Sequence, residues 1–158
     1  MNLLDSLVKE KCERSYYYFV RQAFKVLEPE TEFTPNWHIK YLCRRLQEEA
    51  ERIARGEPKK QDIIINIPPR FMKSLIVTVF FNAWVWTKYP SLKFMCASYS
   101  ADLASDHSVM TRTLIMSNWY QKLWGNNYYL KESRQAAFTN NKMGKRIAVG
   151  FGGSATGR

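Results

Sequence analysis

Residues 62–75 read Asp-Ile-Ile-Ile-Asn-Ile-Pro-Pro-Arg-Phe-Met-Lys-Ser-Leu, and this stretch decides the fold that the sequence predicts. The β-branched run at 62–67 predicts a strand that is buried on both faces of a parallel sheet. Pro68 and Pro69 end this strand, because proline donates no hydrogen bond to a ladder. A helical pattern then begins at Lys73 and continues to Trp86. The stretch is therefore predicted to be a strand, a tight turn and a helix.

That arrangement is the context that a phosphate-binding loop requires. Backbone N–H groups at a helix N-terminus point at phosphates, and the helix dipole there also favours anions. Lys73 can then reach the β- and γ-phosphates, and the Ser74 hydroxyl can ligate Mg²⁺. The general pattern G-x-x-x-x-G-K-[ST] has glycine where this chain has Ile67 and Met72, and the usable N–H donors run from 70 to 74. The residues alone therefore fit an ordinary β–α turn with an exposed lysine equally well.

The rest of the chain predicts helices that alternate with strands. In chain order the predicted elements are helices at 2–27 and 36–53, the strand at 62–67, a helix from Lys73, a strand at 92–97, a helix from Ser100 that ends before Gly125, and a hairpin of 136–139 with 146–151. This order predicts an α/β fold with an open, mainly parallel sheet. The ligands of such sheets bind at the carboxyl ends of the strands.

Net charge is unevenly distributed along the 158 residues. The chain carries 24 basic and 14 acidic side chains, a formal net charge of +10. Residues 1–62 hold 12 basic and 11 acidic side chains, whereas residues 63–158 hold 12 basic and only three acidic ones. A polycation of this kind suits phosphate or nucleic acid as a partner. The alternative is an ordinary basic surface.

The cysteines and the N-terminus bear on the compartment. Cys12, Cys43 and Cys96 are an odd, scattered set without a C-x-x-C pair, so we expect neither a disulfide framework nor a zinc site. The first residues lack the basic region of a signal peptide, and the most apolar run, 75–87, is too short to span a bilayer. We therefore expect a soluble, intracellular protein.

The segment 68–74 resembles the Walker A segment of the large terminase subunits of tailed bacteriophages, which are DNA-packaging motor ATPases. One branch of that family reads Pro-Pro-Arg-x-x-Lys-Ser, as this chain does. Four further segments match the family in the same order: Thr34-Pro-Asn-Trp-His38, Ala97-Ser-Tyr-Ser100, Trp119-Tyr120 to Trp124, and Gly150-Phe-Gly-Gly-Ser-Ala-Thr-Gly-Arg158. The resemblance extends over roughly residues 16–158.

The resemblance implies a P-loop NTPase fold of the ASCE (RecA-like) type, preceded by an N-terminal helical segment. Residues 1–58 would form that segment with the adenine-side motif, and 59–158 a partial ATPase core. ATP and Mg²⁺ are the implied cofactors. The implied partners are double-stranded DNA, the portal protein and the small terminase subunit, with a homo-oligomeric ring in the full-length protein. The implied location is the cytoplasm of the infected bacterial host, outside the mature virion.

The resemblance also implies roles for individual residues. Lys73, Arg70 and Arg158 would be catalytic, with Lys73 neutralising phosphate charge, Arg70 sensing the γ-phosphate and Arg158 acting in trans as an arginine finger. Ser74 would hold Mg²⁺, and the nucleotide would contact Arg70, Phe71, Met72, Lys73, Ser74, Leu75, Trp37 and His38. Other interpretations stay open: Trp37 suits core packing, Ser100 suits a helix N-cap, and His107 suits a core position.

Hydrolysis needs an apolar strand that ends in Asp for Mg²⁺, and usually a Glu that activates water. After Lys73 the only carboxylates are Asp102, Asp106 and Glu132, and none of them follows an apolar strand. Because the Walker B strand and the family's nuclease domain are missing, we expect a fragment that does not turn over ATP alone. Two alternatives remain: a non-catalytic nucleic-acid-binding or interaction protein that retains a degenerate P-loop scaffold, and a helicase-like ATPase fragment.

Overall fold

The computed structural model of the chain describes residues 2–150, apart from the side chain of Ser133. We number its elements in chain order and call the π-helical segment π1. They are α1 (Leu3–Arg14), α2 (Tyr16–Leu27), α3 (Trp37–Ala54), π1 (Leu75–Phe80), α4 (Phe81–Lys88), β1 (Lys93–Ser98), α5 (Ala101–Met116), α6 (Asn118–Trp124), β2 (Leu130–Ser133), β3 (Ala137–Asn140) and β4 (Lys145–Gly150).

Serine side chains set the helix boundaries. The helix predicted at 2–27 is two helices, because Ser15 ends α1 and its Oγ accepts a hydrogen bond from the Tyr18 N–H at the start of α2 (3.2 Å). Ser100 caps α5 in the same way by accepting from the Leu103 N–H (3.2 Å), as one interpretation of the sequence predicts. The predicted helix from Ser100 to Gly125 is also divided, because Ser117 ends α5 and caps α6.

The N-terminal helices and the rest of the described chain share one hydrophobic core. The Trp84 indole N–H donates to the Cys12 carbonyl (2.8 Å), and the Tyr16 hydroxyl donates to the Ile76 carbonyl in π1. On α3, the apolar residues at helical spacing are buried at Ile39, Leu42, Leu46 and Ala50, whereas Ile53 is 48% exposed. Residues 2–58 thus pack directly on the elements that follow the loop. No helix within residues 2–150 is long and apolar enough to cross a bilayer.

The sheet has four strands in the order β1-β4-β3-β2. β1 and β4 are parallel, with Phe94 opposite Arg146, whereas β3 is antiparallel to both β4 and β2. The predicted hairpin is confirmed as β3 and β4, and β2 was not predicted. A single parallel pair makes this sheet mixed, whereas the sequence predicts a mainly parallel one.

The predicted strand at 62–67 is wrong for the described residues. The segment is extended and lies outside the sheet, with exposed side chains alternating with half-buried ones. Ile64 is 85% exposed, whereas Ile65 packs against the core. β1 is likewise an edge strand, and its Met95 is 60% exposed. Burial on both faces requires neighbouring strands and covering helices, which the described residues do not supply on every side.

The hairpin turn between β3 and β4 is attached to the end of α4 through Asn140. This side chain is 2% exposed, donates to the Pro90 carbonyl (2.8 Å) and accepts from the Gly144 N–H (2.9 Å). A Cβ at Gly144 would lie 2.1 Å from the Pro90 oxygen, so only glycine fits this close approach. The turn thereby holds β4 beside β1.

Candidate phosphate-binding site

A cavity of about 770 Å³ lies between the loop of residues 67–75 and the connector from α2 to α3. The loop side includes Arg70, Lys73 and Ser74. Side chains on the other side are Glu28, Glu32, Thr34, Asn36 and His38. The structure thus brings the basic and hydroxyl groups of the predicted loop to one cavity, and it adds two carboxylates that the sequence analysis did not assign to it.

The loop backbone takes a left-handed conformation at two residues that are not glycine. Arg70 has φ 67° and Met72 has φ 59°, while Phe71 between them has a negative φ. Alternation of this kind is the basis of the anion-binding concavities that successive backbone N–H groups form. Met72 occupies the second glycine position of the general pattern, and it adopts the conformation that glycine takes without cost. Met72 therefore has a left-handed backbone conformation at a position where the general pattern has glycine.

The helix after the loop begins at Lys73 and Ser74, and both side chains are exposed. The Ile76 N–H donates to the Met72 carbonyl (2.9 Å). The backbone N–H groups before Ile76 lie in the first turn of the helix, where N–H groups have no hydrogen-bond partner within the helix itself. Lys73 forms no ion pair with any residue of the described chain. Its ammonium group therefore stands available to an anion in the cavity.

The helix continues as π1 from Leu75 to Phe80 before it becomes α4. Leu75 is half-buried and lines the cavity, while Ile76, Val79 and Phe80 are buried. Single-turn π segments are rare and occur frequently at functional sites. Nothing in the sequence predicts this segment, because the helical spacing of its apolar residues fits an α-helix as well.

His38 and Trp37 are adjacent on α3, and their rings meet edge-on with centroids 6.1 Å apart. His38 lines the cavity, its ring meets that of Phe71 edge-on (centroids 5.6 Å apart), and its Nε2 is buried without a partner among the described residues. Trp37 is 79% exposed and lies outside this cavity, so the alternative of core packing for Trp37 is wrong. The sequence predicts the two as one adenine-side pair, but only His38 lines this cavity, because adjacent helical residues point about 100° apart. Both residues line a neighbouring groove.

The remaining predicted residues lie elsewhere. Ser98 ends β1, Tyr99 is 82% exposed, and Trp119, Tyr120 and Trp124 pack in or against the core. Arg158 lies outside the described residues, as does the glycine-rich segment after Gly150. Within residues 2–150 no three His, Cys, Asp or Glu side chains cluster so that they could hold a metal ion.

His107 is half-buried on α5, as the core interpretation predicts. Burial lowers its pKa from the usual 6.5, the Arg146 guanidinium lowers it further, and Asp106 opposes both. Sequence reasoning missed Arg146, which is fully buried in β4. Its position within an alternating strand pattern is the one signal that could have indicated an inward side chain.

No protein-family model, curated protein or solved structure matches the chain. Two cationic side chains, a hydroxyl and the first turn of a helix converge on one cavity, and such a set favours a phosphorylated ligand.

Proposed function

We propose that the chain binds ATP with Mg²⁺ in this cavity and is the ATPase part of a viral terminase large subunit, which powers translocation of double-stranded DNA into a procapsid. One observation carries the proposal: Arg70, Lys73 and Ser74 line a single cavity at the first turn of a helix. The collinear resemblance to the terminase family supports the biological role.

Each residue of the loop would have a defined part in binding. The Lys73 ammonium would pair with the β- and γ-phosphates, and Arg70 would contact the γ-phosphate. The Ser74 hydroxyl would be the protein's ligand to Mg²⁺, and the bound ion supplies charge that offsets the phosphate oxygens. His38 and Phe71 form the aromatic part of the cavity and would lie against the base.

The wider role rests on the resemblance to the terminase family. In that role the protein would act as a homo-oligomeric ring with the portal protein and the small terminase subunit, in the cytoplasm of the infected host. The carboxylates of residues 74–150 are Asp102 and Asp106 on α5 and Glu132 on β2, and none of them lines the cavity. Glu28 and Glu32 do line the cavity, but they precede the loop and neither follows an apolar strand. We therefore expect this chain to bind nucleotide without turnover.

A second candidate is a non-catalytic nucleic-acid-binding protein that retains the scaffold. The observation in its favour is the pair Glu28 and Glu32, which line the same cavity as Lys73. Their negative charge would repel phosphate oxygens, because like charges close together in a partly enclosed site destabilise each other. On this view the cavity has lost its affinity for nucleotides.

Calorimetry with a non-hydrolysable ATP analogue and Mg²⁺ tests the proposal. Hydrogen bonds to charged groups contribute about 1.5–3 kcal/mol, so we expect Lys73→Ala to lower affinity about 10- to 100-fold. Lys142→Ala removes an exposed lysine from the hairpin turn and should leave affinity unchanged. Ser74→Ala should reduce the dependence of binding on Mg²⁺.

The two candidates give different results in this assay. Absence of binding by a folded chain, together with binding in a Glu28→Gln, Glu32→Gln double variant, would favour the second candidate. Binding that Lys73→Ala leaves unchanged would contradict the assignment of the site itself.

A further inference from the structure

The exposed face of α3 carries aromatic and basic side chains together. Trp37, Lys40, Tyr41 and Arg44 are spaced i, i+3, i+4 and i+7, which places them on one helix face. We call these four residues the α3 stripe. Trp37 is 79% exposed and Tyr41 is 54% exposed, whereas aromatic side chains of this size are usually half-buried or more. Packing within residues 2–150 therefore does not account for their positions.

The basic members of the α3 stripe retain capacity for an anion. Lys40 forms no ion pair within the described chain. Arg44 has a side chain that is 67% exposed, and it shares Glu48 with Arg45 at N–O distances of 3.8 and 2.6 Å. The longer distance leaves the Arg44 guanidinium weakly paired in solvent. The stripe is thus electropositive.

Charge is segregated along α3. Its first eleven residues, 37–47, include Lys40, Arg44 and Arg45 and no acidic residue, and acidic residues begin at Glu48. The Arg44 guanidinium also lies over the Tyr41 ring, 5.5 Å from its centroid. This cation–π contact keeps the positive charge of Arg44 beside the Tyr41 ring.

Three members of the α3 stripe line a second groove, which adjoins the phosphate-binding cavity because His38 and Ile67 line both. This groove, of about 630 Å³, lies between α3 and the extended residues 61–67. Trp37, Tyr41, Arg44 and the exposed Ile64 line it. A groove lined by aromatic and basic side chains suits a linear polyanion that carries flat apolar groups. The one carboxylate in this lining, Asp62, is paired with Lys59.

We propose that the α3 stripe binds single-stranded nucleic acid, with bases stacked on Trp37 and Tyr41 and phosphates paired with Lys40 and Arg44. Base–aromatic stacking requires a base outside a duplex, and a groove that tracks the backbone with positive charge is the usual complement to it. Trp37 and Tyr41 lie about 6 Å apart along the helix axis, as four residues at 1.5 Å per residue require, so two bases can be held. Since the stripe lies outside the phosphate-binding cavity, this inference is independent of ATP binding.

The test is fluorescence anisotropy of a labelled 15-nucleotide oligothymidylate, measured without nucleotide. Removal of one stacking platform weakens binding at least about fivefold in comparable sites, so we expect that loss from Trp37→Ala and from Tyr41→Ala. The control Tyr129→Ala removes a tyrosine that is 60% exposed elsewhere and should change nothing. Circular dichroism melting confirms that each variant is folded.

Charge is tested by a second pair of variants. Each phosphate contact on a single strand contributes about 0.7 to the slope of log affinity against log salt, so Lys40→Ala with Arg44→Ala should reduce the slope by about 1.4. The control removes two exposed basic residues from α2, Arg21→Ala with Lys25→Ala, and should leave the slope unchanged.

Several results would overturn the proposal. One is tighter binding of a duplex than of a single strand of the same length. The others are equal losses of affinity in the stripe and control variants, and absence of oligothymidylate binding by a folded chain. The last result would leave a protein partner as the occupant of the α3 stripe. Loss of ATP binding in the separate calorimetric test would not affect any of these outcomes.

Discussion

Arg146 is a buried cation without a polar partner, and its removal should stabilise the protein. The side chain is 0% exposed, and none of its three guanidinium nitrogens forms a hydrogen bond within residues 2–150. Burial lowers the pKa of this guanidinium, and Cys96 offsets the effect in part. The Phe138 ring lies 5.8 Å from the guanidinium carbon and attracts it through a cation–π interaction.

The expected magnitude follows from these contacts. Desolvation of an unpaired ion costs several kcal/mol in a protein interior. Methionine is unbranched and retains much of the aliphatic packing, so Arg146→Met removes that cost with little loss of volume. It also loses the interaction with Phe138, worth about 1–2 kcal/mol. We expect the free energy of unfolding to rise by about 1–3 kcal/mol, measured by urea denaturation at pH 7.

Arg52 provides the matched control, because it is a buried arginine that is paired. It is 9% exposed, its Nε donates to Glu49 (2.7 Å), and its Nη1 donates to the Glu57 carbonyl (2.6 Å). Arg52→Met leaves these acceptors unpaired, and we expect a loss of about 1–3 kcal/mol because Glu49 is itself partly screened by solvent. The two substitutions should therefore have opposite signs. A loss of more than about 1 kcal/mol of unfolding free energy in Arg146→Met would refute the reasoning. The interactions of the buried guanidinium would then outweigh its desolvation cost, which the Phe138 ring contact alone does not explain.

Three further predictions concern the loop, the pH dependence and the thiols. Met72→Gly should be more stable than Met72→Ala by about 1 kcal/mol in urea denaturation, because only alanine keeps a Cβ at φ 59°; equal stabilities would contradict backbone strain there. Burial holds the pKa of His107 below 6.5, so the contribution of the neutral imidazole to the free energy of unfolding is complete above pH 6.5 and is lost as the pH falls below that value. His107→Gln should therefore flatten the plot of unfolding free energy against pH between pH 5 and 7, and an unchanged slope of that plot would contradict the prediction. Burial raises the pKa of Cys12 and Cys43 to about 12, so iodoacetamide at pH 8 should alkylate Cys96 first, as detected by mass spectrometry. Faster labelling of either buried thiol would contradict the packing of Cys12 and Cys43 in the core.

Local signals along the chain determined the helices, the hairpin and the start of the candidate loop. Ser100 caps α5 through an N–H only three residues away, and Gly56 beyond α3 has φ 68°. Lys73 and Ser74 begin a helix as predicted. The signals for this helix start are the two prolines before it and the helical spacing of apolar residues after it, and all of them lie within one or two helical turns of Lys73. Interactions of such short range depend little on the rest of the fold.

Only the tertiary structure decided which surfaces those elements present. Residues 62–67 read as a buried strand, yet burial depends on partners from distant parts of the chain, and Ile64 is exposed. Trp37 is exposed and does not line the cavity that His38 lines, because the packing of α3 sets the rotation of the helix. Arg146 is buried because β4 pairs with β1 and β3 in one register, and a shift by one residue would expose it. Rotation and register depend on contacts between residues far apart in sequence, so local patterns carry little information about them.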